Sequence, residues 1–257
     1  MEKHTRNFRY LILLLALLAL AGNGLYDYLR LRNWDKPFVV RLYLNNGDGR
    51  KVTDDYLATL TADDFSEIAG FLNSESKKYG FSNDAILVQL SANRVASLKQ
   101  PPAEVNVLNN IFWSLSFRSW SALYLYRNEE KTPDVALFLS YFDPAVTRKL
   151  NYSVGLQGGR LGLINLFAEH SYRGSNNVVI AHEMLHTFGA TDKYDQDNNP
   201  LFPMGYAEPS RVPTLPQERA EIMGGRIPLT SHLSVIPKSL AEVIVGRYTA
   251  VEIHWVK

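Results

Sequence analysis

A chain of 257 residues suits one large domain or two small ones, and 46% hydrophobic with 21% charged residues excludes a disordered chain. Lys plus Arg number 27 against 26 Asp plus Glu, a net charge of +1, so the chain lacks the basic footprint of phosphate-driven nucleic-acid binding. There is no Cys, which excludes disulfides, thiolate zinc sites and a cysteine nucleophile. Any metal site must therefore use His, Asp, Glu or Tyr.

Residues 1–33 hold Lys3, Arg6, Arg9, Arg30 and Arg32 against Glu2 and Asp27, which leaves 22 basic and 24 acidic groups in residues 34–257. Between Arg9 and Asp27 lie 17 uncharged residues with an unbroken apolar core, Leu11–Ala21. A basic start followed by a short apolar run is the pattern of a secretory signal, and Ala19-Leu20-Ala21 supplies an A-x-A-like cleavage site. The same span sits at the low end of the roughly 17–25 residues that cross a bilayer, which makes an uncleaved anchor the other reading, with Arg9 on the cytoplasmic side. Both readings expect an extracytoplasmic body, and the anchor would add the membrane as a partner.

Residues 22–36 read as a linker, so the chain divides into an N-terminal segment, 1–33, and a body, 34–257. Phe38–Leu44 is a β-branched and aromatic run ended by the turn cluster Asn45-Asn46-Gly47-Asp48-Gly49. Thr61-Ala62-Asp63-Asp64 looks like a helix N-terminus, with Phe65, Ile68, Phe71 and Leu72 as its apolar face and a stop near Tyr79-Gly80. Ala85–Leu90 is a second strand, and Pro101-Pro102 breaks the chain after it. Val105–Tyr126 reads as a helix whose aromatics fill a core. Asp134–Tyr141 and Leu161–Ala168 are further strands, with turns between Gly155 and Gly162. The order β-α-β-α-β-β, followed by one more helix, predicts an α+β domain with an α/β-like order.

That last helix carries the chemistry. Ser175 is the expected N-cap of SNNVVIAHEMLHTFG, which contains His182-Glu183-Met184-Leu185-His186. Two His at i and i+4 share one helix face, so both imidazoles can reach one metal ion. Glu183 can then reach a metal-bound water as general base. Gly189 supplies the left-handed residue that ends a helix, and a sharp turn there can return Asp192 to the metal face.

The full string, HEMLHTFGATD, resembles the metzincin zinc-protease signature, with Asp where most members have His. An Asp in that place is similar to the snapalysin group of small secreted bacterial proteases, and Lys193-Tyr194 adds to the likeness. The resemblance covers residues 175–192. It implies a metzincin-like zincin domain over 34–257, with a mixed twisted sheet and an active-site helix. It also implies one catalytic Zn2+ on His182, His186 and Asp192, Glu183 as the catalytic base, and a peptide or protein substrate. Two His and one carboxylate leave the fourth zinc position open, as catalysis needs. A methionine turn below the zinc is implied as well; Met223, in a segment with two glycines, is the expected residue and Met204 the alternative. The strand Leu161–Ala168 would form the cleft edge beside which substrate pairs in extended form.

Other readings stay open at this point. A catalytically silent zinc-binding envelope protein, or a hydrolase of non-protein amides such as cell-wall peptides, would use the same ligands. A distant Glu, Glu218 or Glu221, could replace Asp192 as third ligand. Tyr194 and Tyr206 are candidate oxyanion donors, and each also reads as a packing residue. Asp195-Gln196-Asp197-Asn198-Asn199 opens like a calcium loop, but Pro200 and Tyr206 stand where an EF-hand needs Gly and Glu, so Ca2+ is a weaker expectation than a polar surface loop. The proline-rich stretch 200–216 reads as an ordered loop near the cleft or an inert connection. His170, His232 and His254 lack metal spacing and read as structural.

Overall fold

The computed structural model describes residues 10, 14, 18, 22, 24–96, 98–102, 106–129 and 131–256. The expected signal or anchor run therefore lies outside the described residues apart from Leu14 and Leu18. Among the described residues no helix is long and apolar enough to cross a membrane.

The body is a mixed α and β structure. Its sheet has five strands: β1 (Phe38–Asn46), β2 (Ile86–Leu90), β3 (Val135–Phe142), β4 (Val154–Gly155) and β5 (Leu161–Phe167), in the order β2-β1-β3-β5-β4. Four strands are parallel and β4 alone runs antiparallel, against β5. The helices are α1 (residues 24–31), α2 (Lys51–Thr59), α3 (Ser66–Lys77), α4 (Val107–Asn128), α5 (Arg173–Thr187) and α6 (Arg247–Glu252).

Topology decides which face each helix covers. The chain moves outward from β1 to β2 through α2 and α3, then back across β1 to β3 through α4. Right-handed crossovers in opposite directions put their helices on opposite faces. Alternation along β1 records this: Leu42 and Leu44 enter the core that contains Ile68 and Leu72 of α3 and Ile180 and Met184 of α5. Tyr43, between them, joins Trp113 and Phe117 of α4 with Phe138 and Leu163. β3 and β5 are buried almost throughout, as strands covered on both faces must be.

Four expectations change. Residues 24–31 form a helix instead of a linker, because α1 is tied to the body: Arg30 pairs with Asp134 at 3.0 Å and Asp27 with Arg160 at 2.7 Å. Trp34 continues this attachment, its ring 4.6 Å from that of Phe38 and 5.1 Å from that of Phe188. The interval between Gly155 and Gly162 is not all turn, since Val154–Gly155 is strand β4. It follows that Leu161–Ala168 is not the sheet edge; β5 lies between β3 and β4, and β4 is the edge. The aromatic helix α4 is also only half core, for Trp113 and Phe117 are buried while Phe112 and Tyr126 are exposed.

The expected helix start at Thr61 is a reciprocal capping box, in which Asp64 accepts the Thr61 N–H at 2.8 Å. Asp64 also takes Arg173, the first residue of α5, at 3.0 Å. Burial by itself would raise the Asp64 pKa, but the Thr61 hydrogen bonds and the Arg173 charge outweigh it and hold the carboxyl below its ordinary value. A carboxyl depressed on folding stabilises the fold above its unfolded pKa of roughly 3.9, and this is lost as pH falls through the lower folded value. Asp64→Asn should therefore have a lower urea midpoint than the wild type at pH 7, with the difference closing as pH falls through the depressed folded-state pKa. A difference that stays constant over that range would contradict this account.

Candidate metal centre

Helix α5 begins at Arg173, after a 3-10 turn at His170–Tyr172, so Ser175 is not the cap. It sits in the first turn, where its hydroxyl donates to the Tyr172 carbonyl at 3.0 Å. The helix ends as expected at Gly189, whose φ of +109° only glycine adopts readily. The Gly189 N–H donates to the His186 carbonyl at 2.9 Å and the Ala190 N–H to the Leu185 carbonyl at 3.1 Å, a Schellman closure. This turn reverses the chain and brings Asp192 back over the helix.

Three ligand atoms converge there. His182 Nε2 and His186 Nε2 are 3.1 Å apart, and Asp192 Oδ1 lies 3.2 Å from each. Among the described residues this is the group in which three His, Asp or Glu side chains come within ligating reach of one another. The other ring nitrogens are committed: His182 Nδ1 is 2.9 Å from the Ile222 carbonyl and His186 Nδ1 is 2.8 Å from the Ala190 carbonyl. A carbonyl only accepts, so each Nδ1 carries the proton and each Nε2 presents a lone pair to the centre. Two lone pairs and a carboxylate oxygen facing one another require a cation between them. Their spacing is close to the edge of about 3.3 Å of a tetrahedron with ligands ~2.0–2.1 Å from zinc. The donor set therefore fits zinc in both chemistry and size.

Without a metal, the cation would be a proton. Burial opposes protonation of His182, but Asp192, the Glu183 charge and the Ile222 carbonyl prevail and raise its pKa to about 9. The two imidazoles in turn hold the Asp192 carboxyl far below its usual range, against its own burial. The imidazoles are 13% and 14% exposed and the Asp192 carboxylate 42%, so the centre opens to solvent on the carboxylate side.

Glu183 projects beside this group. Its Oε2 accepts the Gly155 N–H at 2.6 Å, which fastens α5 to edge strand β4. Oε1 has no protein partner among the described residues. Gly155 is required by close approach: a Cβ there would collide with the Glu183 carbonyl and stand 2.7 Å from His186 Cβ.

The turn below the imidazoles is built around Met223, fully buried, whereas Met204 is 40% exposed. Ile222 supplies the carbonyl that orients His182, and the Met223 carbonyl accepts the Lys193 N–H at 2.8 Å. Gly224 packs on Gly205, which gives part of the 200–216 stretch a place under the site. Glu221 holds the turn and is not a ligand. Its Oε2 accepts the N–H groups of Met223 and Gly224 at 2.7 and 2.9 Å, and its Oε1 accepts the Gly246 N–H and the Thr249 hydroxyl at 3.0 and 2.7 Å. Glu218 is exposed and paired with Arg211 at 2.9 Å. The arrangement with a distant Glu as third ligand is thereby corrected: one candidate is consumed inside the turn and the other lies on the surface.

Tyr194 stands at the centre, its ring 6.4 Å from that of His182; burial, and then the Asp192 carboxylate, push its phenol well above the ordinary value. Tyr206 instead packs on Phe202, at 5.3 Å. The Asp195–Asn199 loop closes on itself, with Asp195 Oδ1 accepting the N–H groups of Asp197 and Asn199, as a polar surface turn does. His170 packs edge-on against Tyr56, His254 accepts from Arg32, and His232 is exposed.

Two supporting residues were not legible in the sequence. Lys193 is 2% exposed, and its ammonium donates to the Thr191 carbonyl at 2.9 Å and to Glu252 at 2.6 Å. Glu252, in α6, also accepts the Thr191 N–H at 2.9 Å. Asp192 is thus clamped on both flanks by a carboxylate 60 positions further on. No local spacing signals such a contact.

No protein-family model matches this chain. No curated protein matches it either.

Proposed function

We propose that the chain is a zinc-dependent endopeptidase of the metzincin type, with His182, His186 and Asp192 as metal ligands and Glu183 as catalytic base. The observation that supports this most is the equilateral set of ligand atoms on a solvent-open helix end, with a carboxylate oxygen free beside it. Zinc, when bound, supplies Lewis acidity toward the scissile carbonyl and lowers the pKa of its water to near neutrality.

The residues of this chain do the rest. The carbonyls of Ile222 and Ala190 fix the imidazole tautomers, and the Thr191–Lys193 clamp fixes the carboxylate. Glu183 Oε1 takes a proton from the attacking water and passes it to the nitrogen that leaves as the C–N bond breaks. Gly155 holds Oε2, which leaves Oε1 as the proton-carrying atom. Peptide lies extended beside β4, the outermost strand of the sheet, where main-chain hydrogen bonds give affinity with little sequence demand. Tyr194, whose ring lies 6.4 Å from that of His182, would stabilise the carbonyl oxygen as negative charge develops. The basic and apolar N-terminal pattern supports export, with the segment either cleaved or kept as an anchor.

The test is a peptide library exposed to the zinc-loaded full chain. Cleavage should occur, stop on chelation and return when zinc is restored. Zinc bound without turnover on any peptide would favour the silent envelope protein instead.

A further inference from the structure

An apolar cavity of about 590 Å3 opens directly beside β4, on the face of the sheet opposite α5. It is bounded by Pro101 and Pro102, by Ile111 and Leu115 of α4, and by Val154 and Leu156, which flank Gly155. Its volume falls in the roughly 300–1,000 Å3 range of ligand pockets. Ile111 and Leu115 are 50% and 51% exposed, so among the described residues the cavity keeps apolar surface uncovered.

Strand alternation connects this cavity to the metal centre. The Cβ position of Gly155 faces α5, against the Glu183 carbonyl and His186 Cβ. Val154 and Leu156 face the other way and pack with the α4 core. A peptide laid along the outer edge of β4 must alternate in the same manner. Its side chains on the α5 face lie over the His182–His186–Asp192 group, and those on the α4 face lie at the mouth of the cavity. We infer that this cavity is a specificity pocket that selects substrates with a bulky apolar side chain, aromatic or branched, at a position whose side chain points away from the metal. The assignment rests on the metallopeptidase reading. It goes beyond that reading, because neither the metal ligands nor Glu183 specify any side chain of the substrate.

The experiment profiles cleavage sites in a random peptide library with the zinc-loaded full chain, then compares two peptides that differ only in Phe or Ala at the selected position. The wild type should prefer Phe by about tenfold or more in kcat/KM, the scale of discrimination by an apolar pocket. In Ile111→Lys and Leu115→Lys the ratio should fall to near one. Both positions are half-exposed, and a thermal midpoint close to the wild type verifies that each variant is folded. A wild-type ratio near one, or a ratio unchanged in both variants, overturns the pocket and leaves the peptidase intact. Absence of cleavage of every library peptide overturns the peptidase reading, and the pocket with it.

Discussion

Glu183→Gln is expected to keep its zinc and to lose peptide cleavage by about 10²–10⁴-fold, the usual contribution of a positioned acid–base group. The amide is nearly isosteric with the carboxylate. Its oxygen can still accept the Gly155 N–H that Glu183 accepts at 2.6 Å, so the link between α5 and β4 survives. The ligand atoms sit on other residues and are oriented by the Ile222 and Ala190 carbonyls, which the substitution does not touch. What disappears is the ability to take a proton. The loss should fall mainly on kcat, since the carboxylate acts in the transition state and not in holding the ground-state peptide. Zinc content and steady-state kinetics on one good substrate check this. Cleavage near the wild-type rate in a zinc-loaded variant would contradict the assigned role.

Glu221→Ala should be the most destabilising substitution near the centre, by more than about 3 kcal/mol, because removing a buried acceptor strands its donors at about 1–3 kcal/mol each. Four donors reach this carboxylate: the N–H groups of Met223 and Gly246 and the Thr249 hydroxyl would be stranded without it, while the Gly224 N–H also donates to the Glu221 carbonyl at 3.0 Å. Burial pushes its pKa upward, while the Thr249, Gly246 and Gly224 hydrogen bonds and the Lys193 charge pull it back. An acceptor-only carboxylate is the form that matches four donors. Because the same turn carries the Ile222 carbonyl, weaker zinc binding should accompany the loss of stability. Glu221→Gln, which keeps one oxygen, should recover part of both. Urea midpoints and zinc affinity measure the pair of effects; a loss of stability under about 1 kcal/mol in the alanine variant would show that the turn is held by other contacts.

The difference between these two glutamates marks what was legible in the sequence. Glu183 announces itself because helix period is local: positions 182 and 186 share a face whatever the rest of the chain does, and Gly189 ends the helix by backbone preference alone. The long strands were equally plain, since β1, β3 and β5 are apolar runs whose burial on both faces demands that composition. Glu221 reads as an ordinary charged residue. Its burial depends on Gly246 and Thr249, which lie 25 and 28 positions away and reach it only through tertiary packing. Strand β4 was missed for a related reason. Two residues carry no periodicity, and Gly155 signals a turn unless the close approach of α5 is known. Helix α2 escaped notice because its buried face is only Thr53, Tyr56 and Leu57, amid polar neighbours.

The most direct measurement is the zinc content per chain of the full-length protein and of its Asp192→Ala variant, each exposed to equimolar zinc and then dialysed. The account predicts one zinc per wild-type chain and clear loss in the variant, because two imidazoles alone leave the centre without the carboxylate that completes it. A folded wild-type chain without zinc, or a variant that retains a full equivalent, would contradict the three-ligand centre on which the proposed function stands.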